Sequence, residues 1–154
     1  MKRPMVKPRH QTSKVSAFRS GLEERIAHEL RLQGVPFSFE EVVVPYVKRP
    51  ATYTVDFLLK KNGILIETKG WFLSEDRTKH LLVKQQHPDL DIRFVFARHN
   101  SPLRAGSRTT YSTWAEKHGF AWAQASIPRE WIEESPCPVR MAAAARFLRK
   151  AREQ

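Results

Sequence analysis

The sequence predicts a mixed α/β domain, and three observations carry that expectation. Helical periodicity marks two long segments, β-type runs flank an Asn62-Gly63 turn, and shorter strands and helices alternate towards the C-terminus. The chain's 154 residues suit one domain with one core, and a hydrophobic fraction of 41% with 10% aromatics is too high for a disordered chain.

Ser20-Gly-Leu-Glu23 opens the first helix as a capping box, Leu22, Ile26 and Leu30 mark its apolar face, and Gly34 stops it. Phe37 to Val44 alternates as a strand. The two prolines of Val44-Pro45-Tyr-Val-Lys-Arg-Pro50 argue for an extended connector without regular pairing. Tyr53 to Lys60 and Ile64 to Lys69 read as a hairpin on Asn62-Gly63. Ser74 is the expected cap of a helix ending near Gln86, before Pro88, and Asp91 to Ala97 is an apolar strand. After a loop with Pro102 and Gly106, a helix from Thr110 to His118, a strand from Phe120 to Ala123 and a helical turn from Pro128 to Ile132 complete the pattern.

Charge divides the chain differently. There are 27 Lys and Arg against 16 Asp and Glu, a formal net charge of +11. Residues 1–19 hold Lys2, Arg3, Lys7, Arg9, Lys14 and Arg19 with no acid, and residues 139–154 hold Arg140, Arg146, Arg149, Lys150 and Arg152 against Glu153. A nearly neutral body, 20–138, thus lies between a basic N-terminal arm and a basic C-terminal helix or tail. Such ends suit a phosphate polymer, each cation replacing a counterion; terminal charge that merely aids solubility is the plainer alternative. A membrane partner fits poorly, because no apolar run reaches the roughly 18 residues a span needs and the C-terminal segment backs its cations with alanine. The chain reads as soluble and not exported, hence cytoplasmic. Its one cysteine, Cys137, and six scattered histidines exclude an internal disulfide framework and zinc-ligand spacing.

The hairpin places charge among apolar runs. With Asn62-Gly63 as a two-residue loop, Leu58 faces Glu67 and Asp56 faces Lys69, so Asp56, Leu58, Glu67 and Lys69 share one side and Phe57, Leu59, Ile64 and Ile66 the other. Asp56 and Glu67 are then diagonal neighbours about 7–8 Å apart at the backbone, within joint reach of one cation. Adjacent buried carboxylates are costly, and a hard divalent ion such as Mg²⁺ or a nearby Lys relieves the cost. An ordinary Asp56–Lys69 cross-strand ion pair with Glu67 in solvent is the competing reading. A one-residue register shift would separate the two acids.

Asp56, ten intervening residues and then Glu67-Thr68-Lys69 resembles the Asp…Glu-x-Lys signature of restriction-endonuclease-like nucleases. Neighbouring blocks narrow the resemblance to the phage endonuclease I family of Holliday-junction resolvases: Ala17-Phe-Arg-Ser-Gly-Leu-Glu23, Val44-Pro-Tyr46, Tyr53-Thr54, Asp76-Arg77, Lys79-His-Leu-Leu82, Gln86-His-Pro-Asp-Leu-Asp-Ile-Arg93, Glu116-Lys-His-Gly119 and Glu130-Trp-Ile132. It runs from about Ala17 to Ile132. One departure is Val55, where the family commonly has a proline before the catalytic Asp.

The resemblance implies a restriction-endonuclease-like mixed sheet flanked by helices. It also implies a metal-dependent endodeoxyribonuclease that resolves four-way and other branched DNA by paired cuts leaving 5′-phosphates. Glu23, Asp56, Glu67 and Lys69 match the catalytic positions. Asp56, Glu67, the Thr68 carbonyl and Glu23 would hold Mg²⁺ or Mn²⁺, two ions per site, and Asp76 matches a further acidic position that also reads as a helix N-terminal charge. Lys69 would orient the attacking water or stabilise the scissile phosphate. The family is a strand-exchanged homodimer. The matching bridge here is 44–52, which would set Glu23 opposite the partner's acids; the compartment is the host cytoplasm if the chain is phage-encoded. Arg77 and Lys79 join the arm's cations as candidate DNA contacts. Trp71, Trp114, Trp122 and Trp131 are either core or platforms for bases. A nuclease of mismatched or duplex DNA is the runner-up, and a non-catalytic branched-DNA binder the alternative from another class.

Overall fold

The computed structural model describes residues 18–47 and 49–149. Among them a five-stranded sheet, in the order β1-β2-β3-β4-β5, carries five helices. In chain order these are α1 (Gly21–Leu32), β1 (Phe37–Val47), β2 (Pro50–Leu59), β3 (Ile64–Lys69), α2 (Ser74–Gln86), β4 (Ile92–Phe96), α3 (Tyr111–Lys117), β5 (Trp122–Gln124), α4 (Arg129–Glu133) and α5 (Pro138–Ala145). β1, β2 and β3 run antiparallel, while β3–β4 and β4–β5 are parallel. Each parallel pair needs a crossover, and α2 and α3 supply them.

Two apolar layers sandwich the sheet. Leu22, Ile26 and Leu30, spaced by four along α1, pack with Trp131 of α4 on Phe57, Leu59, Ile64 and Ile66. On the opposite face Phe72, Val83, Trp114 and Phe120 cover Phe94, Phe96, Leu58 and Leu65. The start of α1 is capped by the Ser20 hydroxyl, which accepts the Glu23 N–H. Its end is a Schellman turn: Gly34, at φ +63°, and Val35 donate to the carbonyls of Arg31 and Leu30.

The connector drawn from Pro45 and Pro50 is instead paired strand. Val44↔Tyr53, Pro45↔Thr52 and Val47↔Pro50 continue the β1–β2 ladder to its tip. The reason lies in which strand edge Pro45 faces. Val43 N–H and the Glu41 carbonyl bond Phe147 and Arg149, the Pro45 carbonyl accepts from the His87 ring, and Val47 exchanges two bonds with the Gln86 amide. Residues 41, 43, 45 and 47 thus turn away from β2, and the donor that Pro45 lacks is one the ladder never uses. Pro50 begins β2, where it is equally harmless.

The Asn62-Gly63 turn also differs from expectation. Leu59 pairs with Ile64, so the loop has four residues, 60–63, and not two. Asn62 is drawn inward, its amide donating to the carbonyls of Trp131 and Glu134 while its own oxygen accepts the Ile64 N–H. The register moves by two residues, so the two faces keep their membership. A bulge shapes the other half of the hairpin: Phe39 opposes Phe57 but Val42 opposes Val55, and Glu40 in between adopts φ +53°. Phe39 and Phe57 belong to the α1 layer, whereas Val42 and Val55 belong to the opposite one. The hairpin therefore bends beside Asp56.

Two further expectations change. Ser74 is the first residue of α2 and not its cap; the Asp76 carboxylate accepts the Leu73 N–H. Arg140, counted among the terminal cations, is largely buried, donating to the Asn62 carbonyl, Asp91 and Glu134, with Arg93 bonded to the same two acids. This cluster locks α5 over the β2–β3 turn. No helix of the described residues is long and apolar enough to cross a membrane.

Gly63 holds that docking at close range. It sits at φ +82°, and a Cβ there would lie 2.8 Å from the Met141 backbone nitrogen. Gly63→Ala is expected to cost about 2 kcal/mol, read as a fall of roughly 6 °C in Tm by calorimetry.

Candidate active site

The bend in the hairpin, the first turn of α1 and the start of α2 enclose a polar cavity of about 500 Å³. Glu23, Asp56, Glu67, Glu75 and Asp76 line it together with Arg19, Lys69 and Lys79. Glu23, Asp56, Glu67 and Thr68 are all buried, so these carboxylates are removed from bulk water.

Asp56 stands where the β2–β3 ladder opens. Its Oδ2 accepts both the Thr68 N–H, at 2.8 Å, and the Thr68 hydroxyl, at 2.7 Å. Glu67 Oε1 lies 2.9 Å from Lys69 Nζ, while Glu67 Oε2 is buried without a partner. Lys69 Nζ reaches on to Asp76 Oδ1 at 3.2 Å, and Lys79 approaches the same oxygen at 3.4 Å. The cross-strand Asp56–Lys69 pair weighed from the sequence does not form; Lys69 pairs with Glu67 and Asp76. Glu23 caps and lines the site at once. Its N–H bonds Ser20, but its carboxylate takes the Arg19 N–H, so the reciprocal arm of the capping box reaches one residue further than expected.

Electrostatics separate the two central acids. Burial, then the Glu67 charge, pushes Asp56 up to about 8 despite the two Thr68 bonds. Burial acts on Glu67 in the same sense, but Lys69 overcomes it and holds the carboxyl down at about 2. Lys69 itself is raised: burial opposes its charge, and Glu67 and Asp76 more than restore it. The ammonium therefore stays protonated at neutral pH.

The donors fit a hard divalent cation. They are oxygens, one of them the orphaned Oε2 of Glu67, beside a carboxyl whose charged form lacks a counter-charge. The Thr68 N–H points to Asp56, so its carbonyl, on the same strand edge, faces that side as well. Among the described residues no three His, Cys, Asp or Glu side chains are already gathered round one point. Asp56, Glu67 and the Thr68 carbonyl are thus the residues that would hold an ion, with Glu23 across the cavity.

Other candidates fall elsewhere. Arg77 donates to the Phe72 carbonyl at 2.6 Å and lies over the Phe72 ring. Arg19 does line the cavity, and it pairs with Glu40. Lys2, Arg3, Lys7, Arg9 and Lys14 lie outside the described residues. Trp114 and Trp131 are core, Trp122 is half-buried, and Trp71 is exposed. Two neighbours of the acids had no assigned role in the sequence. His80, fully buried, stands 3.6 Å from Glu67 Oε1, beyond a hydrogen bond, and Tyr53 packs edge-on against it with a buried, unpartnered hydroxyl. The signal for His80 was its position four residues after Asp76, on the same helix face.

The chain is similar to known proteins over most of its length. Residues 5–153 match the family described as phage endonuclease I, extending past Ile132, where local motifs fade. The chain is 52% identical to endonuclease I of Escherichia phage T7 over 123 residues, 79% of this chain and 82% of that protein. It is 49% identical over 120 residues to endodeoxyribonuclease 1 of Enterobacteria phage T3, covering 77% and 78%.

The raised Asp56 carboxyl has a consequence for stability. Between pH 4 and 8 the folded chain binds more protons there than the unfolded chain, so this group's contribution falls as pH rises through about 8. Glu67 acts oppositely, contributing above its ordinary value and losing that contribution as pH falls towards 2. Asp56→Asn keeps an acceptor for Thr68 and removes the costly charge. In chelator at pH 8 its Tm should exceed wild type by about 3–6 °C, the difference shrinking towards pH 4.

Proposed function

The chain belongs to the phage endonuclease I family, and we propose from that premise how its cavity acts on DNA. It is an endonuclease that hydrolyses DNA phosphodiester bonds and resolves Holliday junctions. The observation that carries the mechanism is the pairing of Asp56 and Glu67 in one buried, polar cavity with a protonated Lys69 at its edge.

Mg²⁺ or Mn²⁺, two ions per site in this reading, would supply an activated water and positive charge at the scissile phosphate when bound. Asp56 and Glu67 would bind it, helped by the Thr68 carbonyl, with Glu23 serving from the helix α1 side. Thr68 fixes the Asp56 rotamer through two bonds. Glu67 has a divided task, since one oxygen anchors Lys69 and the other stays free. Lys69 is held cationic by two carboxylates, which supports a role in stabilising phosphate charge over one as a base. Asp76 steadies Lys69 and the start of α2 together. Arg19 and Lys79, at the cavity wall, would meet the flanking backbone, and the basic arm would extend that grip to the junction arms. The products are 5′-phosphate ends.

Paired cuts across a four-way branch call for two symmetric sites, so the working form proposed is a homodimer. The long β1–β2 hairpin supports strand exchange, because its pairing would be kept if residues 44–52 passed to a second chain, in the restriction-endonuclease-like arrangement. If phage-encoded, as its relatives are, the chain would work in the host cytoplasm.

A four-way junction and a matched linear duplex, each with Mg²⁺ or chelator, test the function. The junction should be cut in pairs by a species sedimenting at twice the chain mass. Asp56→Ala should lose more than about 10²-fold in rate while still binding; no junction cleavage by wild type with any divalent metal would overturn the reading. The arm is tested separately. Deleting residues 1–17 removes five cations and should flatten the salt dependence of binding by up to roughly 0.9 for each phosphate that the shortened chain leaves unneutralised.

A further inference from the structure

Beyond the catalytic cavity lies a second cleft, of about 500 Å³, bounded by Gly70, Trp71, Arg98, Ser101, Pro102 and Tyr111. It adjoins the first by covalent continuity. Trp71 follows Lys69 by two residues, a reach of at most about 7 Å, or roughly two base steps along a duplex strand. Ala97, on the cleft wall, donates its N–H to the Lys69 carbonyl at 3.0 Å.

Trp71 is the anomaly. At 81% exposure it is the most exposed large apolar side chain among the described residues, while Phe72 beside it is fully buried. An aromatic left in water next to a nuclease site has no role in packing. The charge around it is one-sided: from Ile92 to Ala115 the chain carries Arg93, Arg98, Arg104 and Arg108 and no acid. Arg93 is engaged by Asp91 and Glu134. Arg98, Arg104 and Arg108 are exposed and form no ion pair among the described residues. Residues 102–110 fold back on themselves, with Pro102 bridged to Thr110, Leu103 bonded to Thr109 and Gly106 turning the tip at φ +77°.

We propose that this cleft binds the DNA strand beside the scissile phosphate, with an unstacked base lying on Trp71 and Arg98 on its flanking phosphate. Trp71 would then position the strand so that the bond to be cut falls at Lys69, and the 102–110 loop would carry the adjoining backbone. A branch point supplies such a base more cheaply than an intact duplex, because stacking is already interrupted there. A cleft of this size admits one nucleoside-sized group. The proposal rests on the nuclease reading above but concerns binding, so it can be measured with cleavage switched off.

The test uses the full chain with a four-way junction in chelator. Junction DNA should quench the tryptophan fluorescence of wild type, and Trp71→Phe should lose most of that quench while keeping affinity within about threefold. Trp71→Ala should weaken binding about 10-fold, and Arg98→Ala should lower the salt slope by about 0.9. With Mg²⁺, Trp71→Ala should also scatter the cut positions. Unchanged affinity, quench and cut sites in Trp71→Ala would overturn the proposal, including the case in which this surface serves a protein partner. Failure of wild type to cut at all would instead sink the nuclease reading and leave the binding result standing.

Discussion

Two carboxylates placed side by side out of water are the constraint from which the rest of the site follows. Asp56 and Glu67 cannot both ionise there without help, and the chain gives the help to one of them. Lys69 secures the charge of Glu67, and Asp76 secures Lys69 in turn. Asp56 receives only hydrogen bonds from Thr68 and stays the more basic acid. The folded protein thus keeps one carboxyl without a counter-charge, which a divalent cation is suited to provide.

Holding such a cluster demands rigid support on every side. The bulge at Glu40 bends the hairpin so that Asp56 stands between two apolar layers and not within either. Phe57 and Val55, its neighbours in sequence, are buried on opposite faces and fix its backbone. Behind Glu67, His80 and Tyr53 form an aromatic wall joined to the Phe72 and Phe94 cluster. At the far end of the same strands, Arg140, Arg93, Asp91 and Glu134 clamp α5 over the turn, with Asn62 tied into the same corner. The end of the hairpin that holds the two acids is bent and polar, and the opposite end is locked.

The charge balance reads differently once folded. A nearly neutral body is an average over regions of opposite character. Several of its acids are paired with internal partners or gathered in the cavity, while Arg98, Arg104 and Arg108 stand exposed along one loop. The body of the chain therefore carries exposed cations of its own, besides those that the sequence places at its ends.

Features governed by near neighbours were legible in the sequence. Ser20 and Gly34 bound α1 because a cap and a left-handed stop act within one helical turn. Asp56 and Glu67 share a face because strand side chains alternate, and a two-residue error in the loop leaves that parity intact. The family signature survives for the same reason. What the tertiary structure alone decided depends on atoms distant in the chain. Pro45 could enter a ladder only because His87, Gln86 and the C-terminal segment take up the outer edge of β1. Asn62 lengthened its turn because Trp131 and Glu134 draw its amide inward. The split between Asp56 and Glu67, the placement of His80 and the exposure of Trp71 among four tryptophans all follow from burial and from partners brought together by folding. Local chemistry named the acids, and packing made them unequal.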